Sequence, residues 1–376
     1  MNDSQVMSQP NDDALAAARE RYKREREKRL RADGLAQYAQ LTDDYEEYDH
    51  DPWVEPGFTR DPVVEETEAV IVGGGFGGMM LGVNLINRGV TDFRIVEKAG
   101  DFGGTWYWNR YPGCQCDVES YIYMPFLEET GYMPSKRYAP ATEIFEHSQR
   151  IGRHFDLYPH ALFQTEIETA VWDEDVSRWH VTTTRGDQLT AKFLVTAGGI
   201  LHKAKLPAIE GIKDFEGRAF HTARWDYDFT GGSPTVPMDA LADKRVGIIG
   251  TGATSVQVVP QLARAAKEVY VFQRTPSSVG VRNNSFTDPE WWKTLEPGWQ
   301  AERQASFTSV VSGEHPEKDL VGDEWSKIWG TDTQSEPATA EQAAALEQHD
   351  FEVMETLRAR IDDVIDDPET AEKLKP

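Results

Sequence analysis

Gly73-x-Gly75-x-x-Gly78 follows the apolar run Glu68 to Val72 and opens a helical stretch reaching Arg88. Glycine suits each of the three places for a different reason. The first makes a tight turn, the second lets backbone approach a pyrophosphate, and the third lets the helix pack close to the strand. The free N–H groups and positive dipole end of the helix would then face the phosphates. Nineteen residues after Gly78, Glu97 closes the second apolar run, DFRIVE, where a carboxylate accepts hydrogen bonds from an adenosine ribose.

A second unit repeats the pattern as Gly250-x-Gly252-x-x-Ser255, with the small Thr254 and Ser255 opening its helix. The offset between the units is 177, which sets Arg274 against Glu97. A carboxylate favours a free ribose 2′-hydroxyl and repels a 2′-phosphate, whereas a guanidinium accepts that phosphate. The first unit is therefore expected to take FAD or NAD, and the second NADPH, with the Thr275 hydroxyl beside Arg274. Two such sites in one chain imply electron transfer from NADPH to a flavin. By themselves they leave open whether the protein is a reductase or a monooxygenase.

The elements that must position these residues are two βαβ starts: strand, helix and strand from Glu68 to Glu97, and again from Lys244 to Arg274. Between them, residues 162–196 alternate as a meander. Ahead lies a charged, locally basic helix over 14–34, read as a solvated surface helix, with docking to a partner or lipid as the other reading. The acidic run 43–57 is expected to be a linker or an arm over the surface. Beyond Val281 no strand is expected; the rest is polar, helix-prone and carries Trp291, Trp292, Trp299, Trp325 and Trp329.

The expected fold class is α/β, with two Rossmann-like dinucleotide-binding domains and a helical insertion. The divisions are an arm over 1–60, a first-site domain over 61–206, a second-site domain over 207–286 and the insertion over 287–376. The chain has 376 residues, with 39 Lys and Arg against 64 Asp and Glu, a net charge of −25. Such a balance disfavours nucleic acid as a partner. No apolar stretch approaches the ~20 residues of a membrane span. The first thirteen residues lack the basic start and apolar centre of a signal peptide. Two cysteines give no disulfide framework, so cytoplasmic localisation is expected. Cys114-x-Cys116 lacks a second pair or a histidine at ligand spacing, so no metal is expected.

Further residues sharpen the reading. Gly103-Gly104-Thr105-Trp106-Tyr107-Trp108-Asn109-Arg110-Tyr111-Pro112-Gly113 precedes Asp117, and Phe215-x-Gly217-x-x-x-His221-x-x-x-Trp225-Asp226 lies between the glycine units. With both units, this resembles the type I Baeyer–Villiger monooxygenases, a branch of the flavin-dependent monooxygenases, from about residue 40 onward. The long N-terminal arm is similar to that of the subgroup acting on large cyclic or steroid ketones.

The resemblance implies that FAD is held by Gly73, Gly75, Gly78, Glu97, Thr105, Trp106, Asp117 and Tyr123. NADPH falls to Gln115, Gly250, Gly252, Thr254, Ser255, Arg274 and Thr275. The stretch Gln115 to Asp117 would face the nicotinamide. His221 and Trp225 would couple domain movement to catalysis rather than react. NADPH would reduce FAD, and O2 activated on the reduced flavin would insert one oxygen beside a ketone carbonyl, giving an ester or lactone. In the family an arginine supplies the fixed positive charge that step needs, and Asp117 would orient it.

That arginine follows a Lys-Arg pair, which this sequence does not contain after the insertion. The chain is therefore expected to be truncated at its C-terminus and inactive alone, with a missing C-terminal polypeptide as partner. Uncovered sheet edges and five uncovered late tryptophans would follow. The competing readings are an N- or S-oxygenating flavin monooxygenase and a non-catalytic nucleotide-binding fragment.

Overall fold

A computed structural model describes residues 12–39, 41, 45, 48–314, 316–329 and 339–376. It opens with helix α1 (Asp12–Arg29), followed by a 3-10 turn at Gly34–Gln37 and the pair Tyr38–Ala39, which runs antiparallel to Leu206–Pro207. Strand β1 (Val64–Val72) is the first of the long strands. Helix α2 (Phe76–Asn87) and strand β2 (Phe93–Val96) complete the first βαβ start. After a loop of short turns come α3 (Ala141–His154), β3 (Ala161–Leu162), β4 (Ile167–Asp173), β5 (Arg178–Thr183) and β6 (Gln188–Thr196). The second unit is β7 (Arg245–Ile249), α4 (Ala253–Ala265) and β8 (Glu268–Phe272), followed by α5 (Trp299–Val311), α6 (Ala340–Val364) and α7 (Pro368–Leu374).

The main sheet runs β3-β2-β1-β6-β5-β4. Its first four strands are parallel, and β5 and β4 add antiparallel, so β6 belongs at once to the parallel layer and to the meander. Parallel strands covered on both faces read as unbroken apolar runs, which Ala69 to Val72 does. Ile71, Ile95, Phe93, Met79, Val83, Phe102, Ile151 and Leu157 form the tightest core, closed by α2 and α3. At ~1.5–3 kcal/mol per buried aliphatic or aromatic side chain, this layer is the rigid platform for the turn above it.

β7 and β8 make a separate two-stranded parallel sheet. Phe272 and Ile249 on it are each 59% exposed. A second core joins α4 to the first unit: Val258, Leu262 and Ile248 pack with Trp225, Met124, Ile144 and Trp106. The architecture is thus α/β with two Rossmann-type units, each a glycine turn between a parallel strand and a helix.

The described residues of the 43–57 segment form an arm held on the surface: Asp49 pairs with Lys98 at 2.7 Å and Asp51 accepts the Tyr107 hydroxyl at 2.8 Å. Just beyond, Arg60 makes two 2.6 Å bonds to the buried Asp187; residues 43, 44, 46 and 47 lie outside the described residues. One expectation changes: the late tryptophans are largely covered. Trp291 packs on Tyr121 at 4.8 Å, Trp299 joins the second core, and Trp325 donates to the Asp117 carbonyl at 2.9 Å. Only Trp292 is strongly exposed among those whose side chains are described; the side chain of Trp329 lies outside them. The cause is a bridge from α5, where Gln300 donates to the carbonyls of Tyr121 and Met124 while Arg303 clamps Glu119. No described helix is long and apolar enough to cross a membrane.

Candidate functional site

The first glycine turn sits where β1 ends. A Cβ on Gly78 would stand 1.9 Å from the Gly73 carbonyl oxygen, so only glycine lets α2 begin this close to the strand. Gly104, at φ +52°, presses against the turn from the other side; a Cβ there would lie 2.8 Å from the Gly75 Cα. The Gly103 N–H donates to the Gly74 carbonyl at 3.0 Å. Two glycine-rich segments distant in sequence are thereby locked edge to edge, and Thr105 and Trp106 follow directly on the second.

Between them opens a cavity of about 420 Å³, lined by Gly73, Gly75, Glu97, Thr105, Trp106 and Tyr123 among others. Glu97 is 6% exposed and takes one N–H on each oxygen, from Gly74 and from Ala99. Burial pushes its carboxyl up, and those two backbone bonds pull against that. Each oxygen keeps a free lone pair, so the group can still accept from a diol. The Trp106 indole donates to the Tyr123 hydroxyl at 3.1 Å with the rings edge to face, fixing both on one wall. His202, on the same lining, has a buried Nδ1 with no partner. The cradle, the carboxylate and this orphaned nitrogen fit an adenine dinucleotide.

The second turn is open. Gly250, at φ +103°, and Gly252 have nothing within 4 Å of a built Cβ, so backbone is free to meet a phosphate. Thr254 and Ser255 lie in the first turn of α4, Ser255 buried. The Thr251 hydroxyl donates to the Thr275 carbonyl at 2.9 Å, tying the turn to the segment after β8.

Arg274 requires a correction of one residue. Val72 pairs with Val96 in the first unit, but Ile249 pairs with Phe272 in the second. The residue opposite Glu97 is therefore Gln273, and Arg274 stands one place beyond, exposed, donating to the Gln37 side chain at 2.9 Å. The reason is loop length. Five residues join α2 to β2, whereas only Ala266 and Lys267 join α4 to β8, so β8 starts and ends earlier in the chain. Both charges remain at the tips of matching second strands.

Gln115 lies on the loop between the units. Gln257 of α4 accepts the Tyr111 hydroxyl at 2.8 Å and donates to the Gln115 carbonyl at 2.9 Å, docking that loop on the second unit. Asp117 is not on the lining of the first cavity. Its side chain is 56% exposed, and its cationic neighbour is Arg282, at 3.8 Å. Cys114 and Cys116 are buried, and burial raises their thiols to about 11 and about 12, which leaves them protonated and unreactive.

The segment from Phe215 to Asp226 folds into a compact clip. The Phe215 ring lies over Gly217, where a Cβ would come within 2.5 Å of it. His221 accepts from the Ala223 N–H at 3.1 Å and so caps the short helix Thr222–Arg224. Burial, then Arg224, lowers the imidazole to about 4, so it is neutral at physiological pH. The indole of Trp225 is buried and donates to Thr230. Asp226 caps the next turn and pairs with Arg218. Neither His221 nor Trp225 lines the first cavity.

Four residues here had no signal in the sequence pattern. Arg224 occupies an unspecified position of that motif, yet it is 6% exposed and stacks on Trp108. Gln257 and Arg282 carry the contacts just described, and Lys98 lines the cavity while pairing with Asp49. Nothing in their spacing marks them, because each is defined by a partner far away in sequence.

Residues 70–314 match the family model described as pyridine nucleotide-disulphide oxidoreductase. A Baeyer–Villiger monooxygenase of Stachybotrys chlorohalonatus is 51% identical over 369 residues, covering 96% of this chain and 59% of its own length. Another, from a Dietzia species, is 51% identical over 366 residues, 95% of this chain and 60% of its own. Among solved structures, the polycyclic ketone monooxygenase of Thermothelomyces thermophila superposes with a TM-score of 0.89 at 40% identity, over 97% of this chain and 64% of that one. A cyclohexanone monooxygenase structure gives 0.68 at 31%, over 83% and 62%. The chain thus spans about three fifths of the length of these relatives. It belongs to the pyridine nucleotide-disulphide oxidoreductase family.

Proposed function

We propose that this chain carries the FAD and NADPH sites of a monooxygenase that inserts one oxygen from O2 beside a ketone carbonyl, giving an ester or lactone. The observation that carries the reading is the Glu97 carboxylate, buried at the cavity formed by the 73–78 turn and the 103–105 turn. Solved relatives described as complexes with FAD and NADP support the cofactor choice.

Glu97 would hold the adenosine ribose diol, and the backbone of Gly73 to Gly78 the pyrophosphate. Thr105, Trp106 and Tyr123 would shape the far wall and exclude water. Gly250, Gly252, Thr254, Ser255, Arg274 and Thr275 would hold NADPH. The Gln115 loop, docked on α4 through Gln257, would place the nicotinamide against the first site. The bound flavin, reduced by NADPH, supplies the oxygen activation. Asp117 would orient a cation near the reacting centre; in this chain it faces Arg282. His221, neutral and engaged as a cap, and Trp225, buried in the core that joins the units, act as positioning residues.

The test has two stages. FAD is titrated into the chain and the visible flavin band is followed as NADPH is added without oxygen; saturable binding and bleaching are expected. The protein is then given isotopically labelled O2, NADPH, a cyclic ketone and an alkyl sulfide. Labelled ester as the main product supports the proposal. Oxidation of the sulfide with no ester would move the assignment to the S-oxygenating branch.

A further inference from the structure

Helix α1 is not a bare surface helix. Arg19 pairs with Glu347 at 2.6 Å, and Tyr22 lies under Arg358, both on α6. Arg21 reaches the Lys375 carbonyl and pairs with Glu372 at 3.3 Å. At its C-terminal end, Arg29 donates to the Thr275 hydroxyl and to the Pro276 carbonyl, each at 3.4 Å. The helix is thereby held against the tip of β8, the place from which Arg274 projects.

A cleft of about 390 Å³ opens along this contact. Arg21, Arg24 and Lys28 reach it from α1, one helical face at three- and four-residue spacing. Arg274 reaches it from the β8 tip, and Lys373 and Lys375 from the end of the chain. Six cations face two carboxylates, Glu25 and Glu372, on this lining. Lys28 pairs with Glu25 at 2.6 Å, Lys373 with Glu369 at 2.6 Å and Lys375 with Asp362 at 2.7 Å, so the positive excess centres on Arg24 and Arg274, with Lys28 within reach of the same place. The Gln273 side chain donates to the Lys373 carbonyl at 2.7 Å and so fixes one wall against the β8 tip. The Thr251 hydroxyl donates to the Thr275 carbonyl and the Ser277 hydroxyl to the Thr251 carbonyl, which fastens the 250–252 turn to the segment that carries Arg274 and Pro276 into the cleft.

We infer that α1 is part of the second nucleotide site: Arg24 and Lys28, with Arg274, bind the phosphate monoester on the adenosine ribose and set the preference for a 2′-phosphorylated nucleotide. The inference rests on the reading of the second turn as an NADPH site and adds to it the residues that discriminate. Arg274, displaced by one residue and drawn toward Gln37, does not close a phosphate pocket from β8 alone. α1 supplies the facing wall. A dianionic phosphate gathers several charge-assisted bonds from such a cluster, and their strength falls with added salt.

The experiment titrates the full chain with adenosine 2′,5′-bisphosphate and, separately, with 5′-AMP, by calorimetry. The unmodified chain is expected to favour the bisphosphate at least tenfold, less so at high salt. The double variant Arg24→Gln, Lys28→Gln changes two exposed side chains and is expected to lose that preference tenfold or more, with AMP binding within about twofold and an unchanged thermal midpoint. The charge-keeping pair Arg24→Lys, Lys28→Arg is expected to restore most of it. If the double variant keeps full preference while Arg274→Gln loses it, the helix is not part of the site and the inference fails alone. If the unmodified chain shows no preference, the NADPH reading itself fails. Inorganic phosphate binding as tightly as the bisphosphate would make the cleft a general anion site and overturn the inference.

Discussion

The guanidinium carbon of Arg224 lies 3.9 Å from the centroid of the Trp108 ring. From that position Arg224 also donates to the carbonyls of His50 and His202, at 3.0 and 3.1 Å. One buried side chain therefore joins the N-terminal segment, the wall of the first cavity and the clip between the units. Arg224→Ala is expected to destabilise the fold by about 2–3 kcal/mol, from lost stacking and carbonyls left unpaired. Urea denaturation measures it. Arg224→Lys should recover only part, since an ammonium can neither stack flat nor fork.

Removing the Glu97 charge tests the first site. Glu97→Gln keeps the shape, but its amide nitrogen cannot accept from Gly74 or Ala99, and one of these N–H groups loses its partner. FAD affinity is expected to fall tenfold or more, equivalent to about 1.4 kcal/mol or above. Quenching of flavin fluorescence reads it. Unaltered affinity would remove Glu97 from the ribose.

The pH dependence of stability has a histidine origin. His147 is fully buried; its Nε2–H donates to the Pro125 carbonyl at 2.7 Å and its Nδ1 accepts from Arg150. Burial, with the charge of Arg150 adding to it, lowers His147 to about 4. In the unfolded chain the same ring titrates near its ordinary 6.5, so protonation favours unfolding below that value. Stability from this group is fully present above pH 6.5 and is lost as pH falls toward 4, with a slope of up to about 1.4 kcal/mol per pH unit. His221, lowered to the same range, acts in the same direction. Denaturant midpoints between pH 4 and 7 should show the slope, and His147→Gln should flatten it.

A different pairing governs the lower range. Burial pushes the Asp187 carboxyl up, but bonds from Arg60, the Thr183 hydroxyl and the Val63 N–H outweigh it and hold the group down to about 2. Its contribution is present above the ordinary carboxylate value and is lost only as pH falls toward 2. Asp187→Asn should cost about 3 kcal/mol at pH 7, because it strands the Arg60 charge and breaks a bidentate pair. An equal loss at pH 7 and pH 2 would refute the ion-pair account.

What the sequence made legible was local. Glycine turns, apolar runs and the sign of the charge after each second strand are written in contiguous residues, and Glu97 sits where its spacing placed it. Arg274 fell one residue off because residue counting cannot see how short the Ala266–Lys267 connection is, and pairing register depends on that length. Arg224, Gln257 and Lys98 were invisible for a related reason: each owes its place to a carbonyl, ring or carboxylate tens to hundreds of residues away. The coverage of Trp291 and Trp299 depended likewise on Gln300 finding the free carbonyls of Tyr121 and Met124.

Lys98 looks in two directions, toward the cavity behind β2 and toward Asp49. Any molecule that orders Lys98 and Trp108 also tightens the Asp49–Trp53 strap, since Asp51 holds Tyr107 and Arg224 holds His50. By thermodynamic reciprocity, fastening the strap must strengthen the grip on that molecule by the same factor. Clipping the chain ahead of β1 would then be felt as looser ligand retention before it was felt as unfolding.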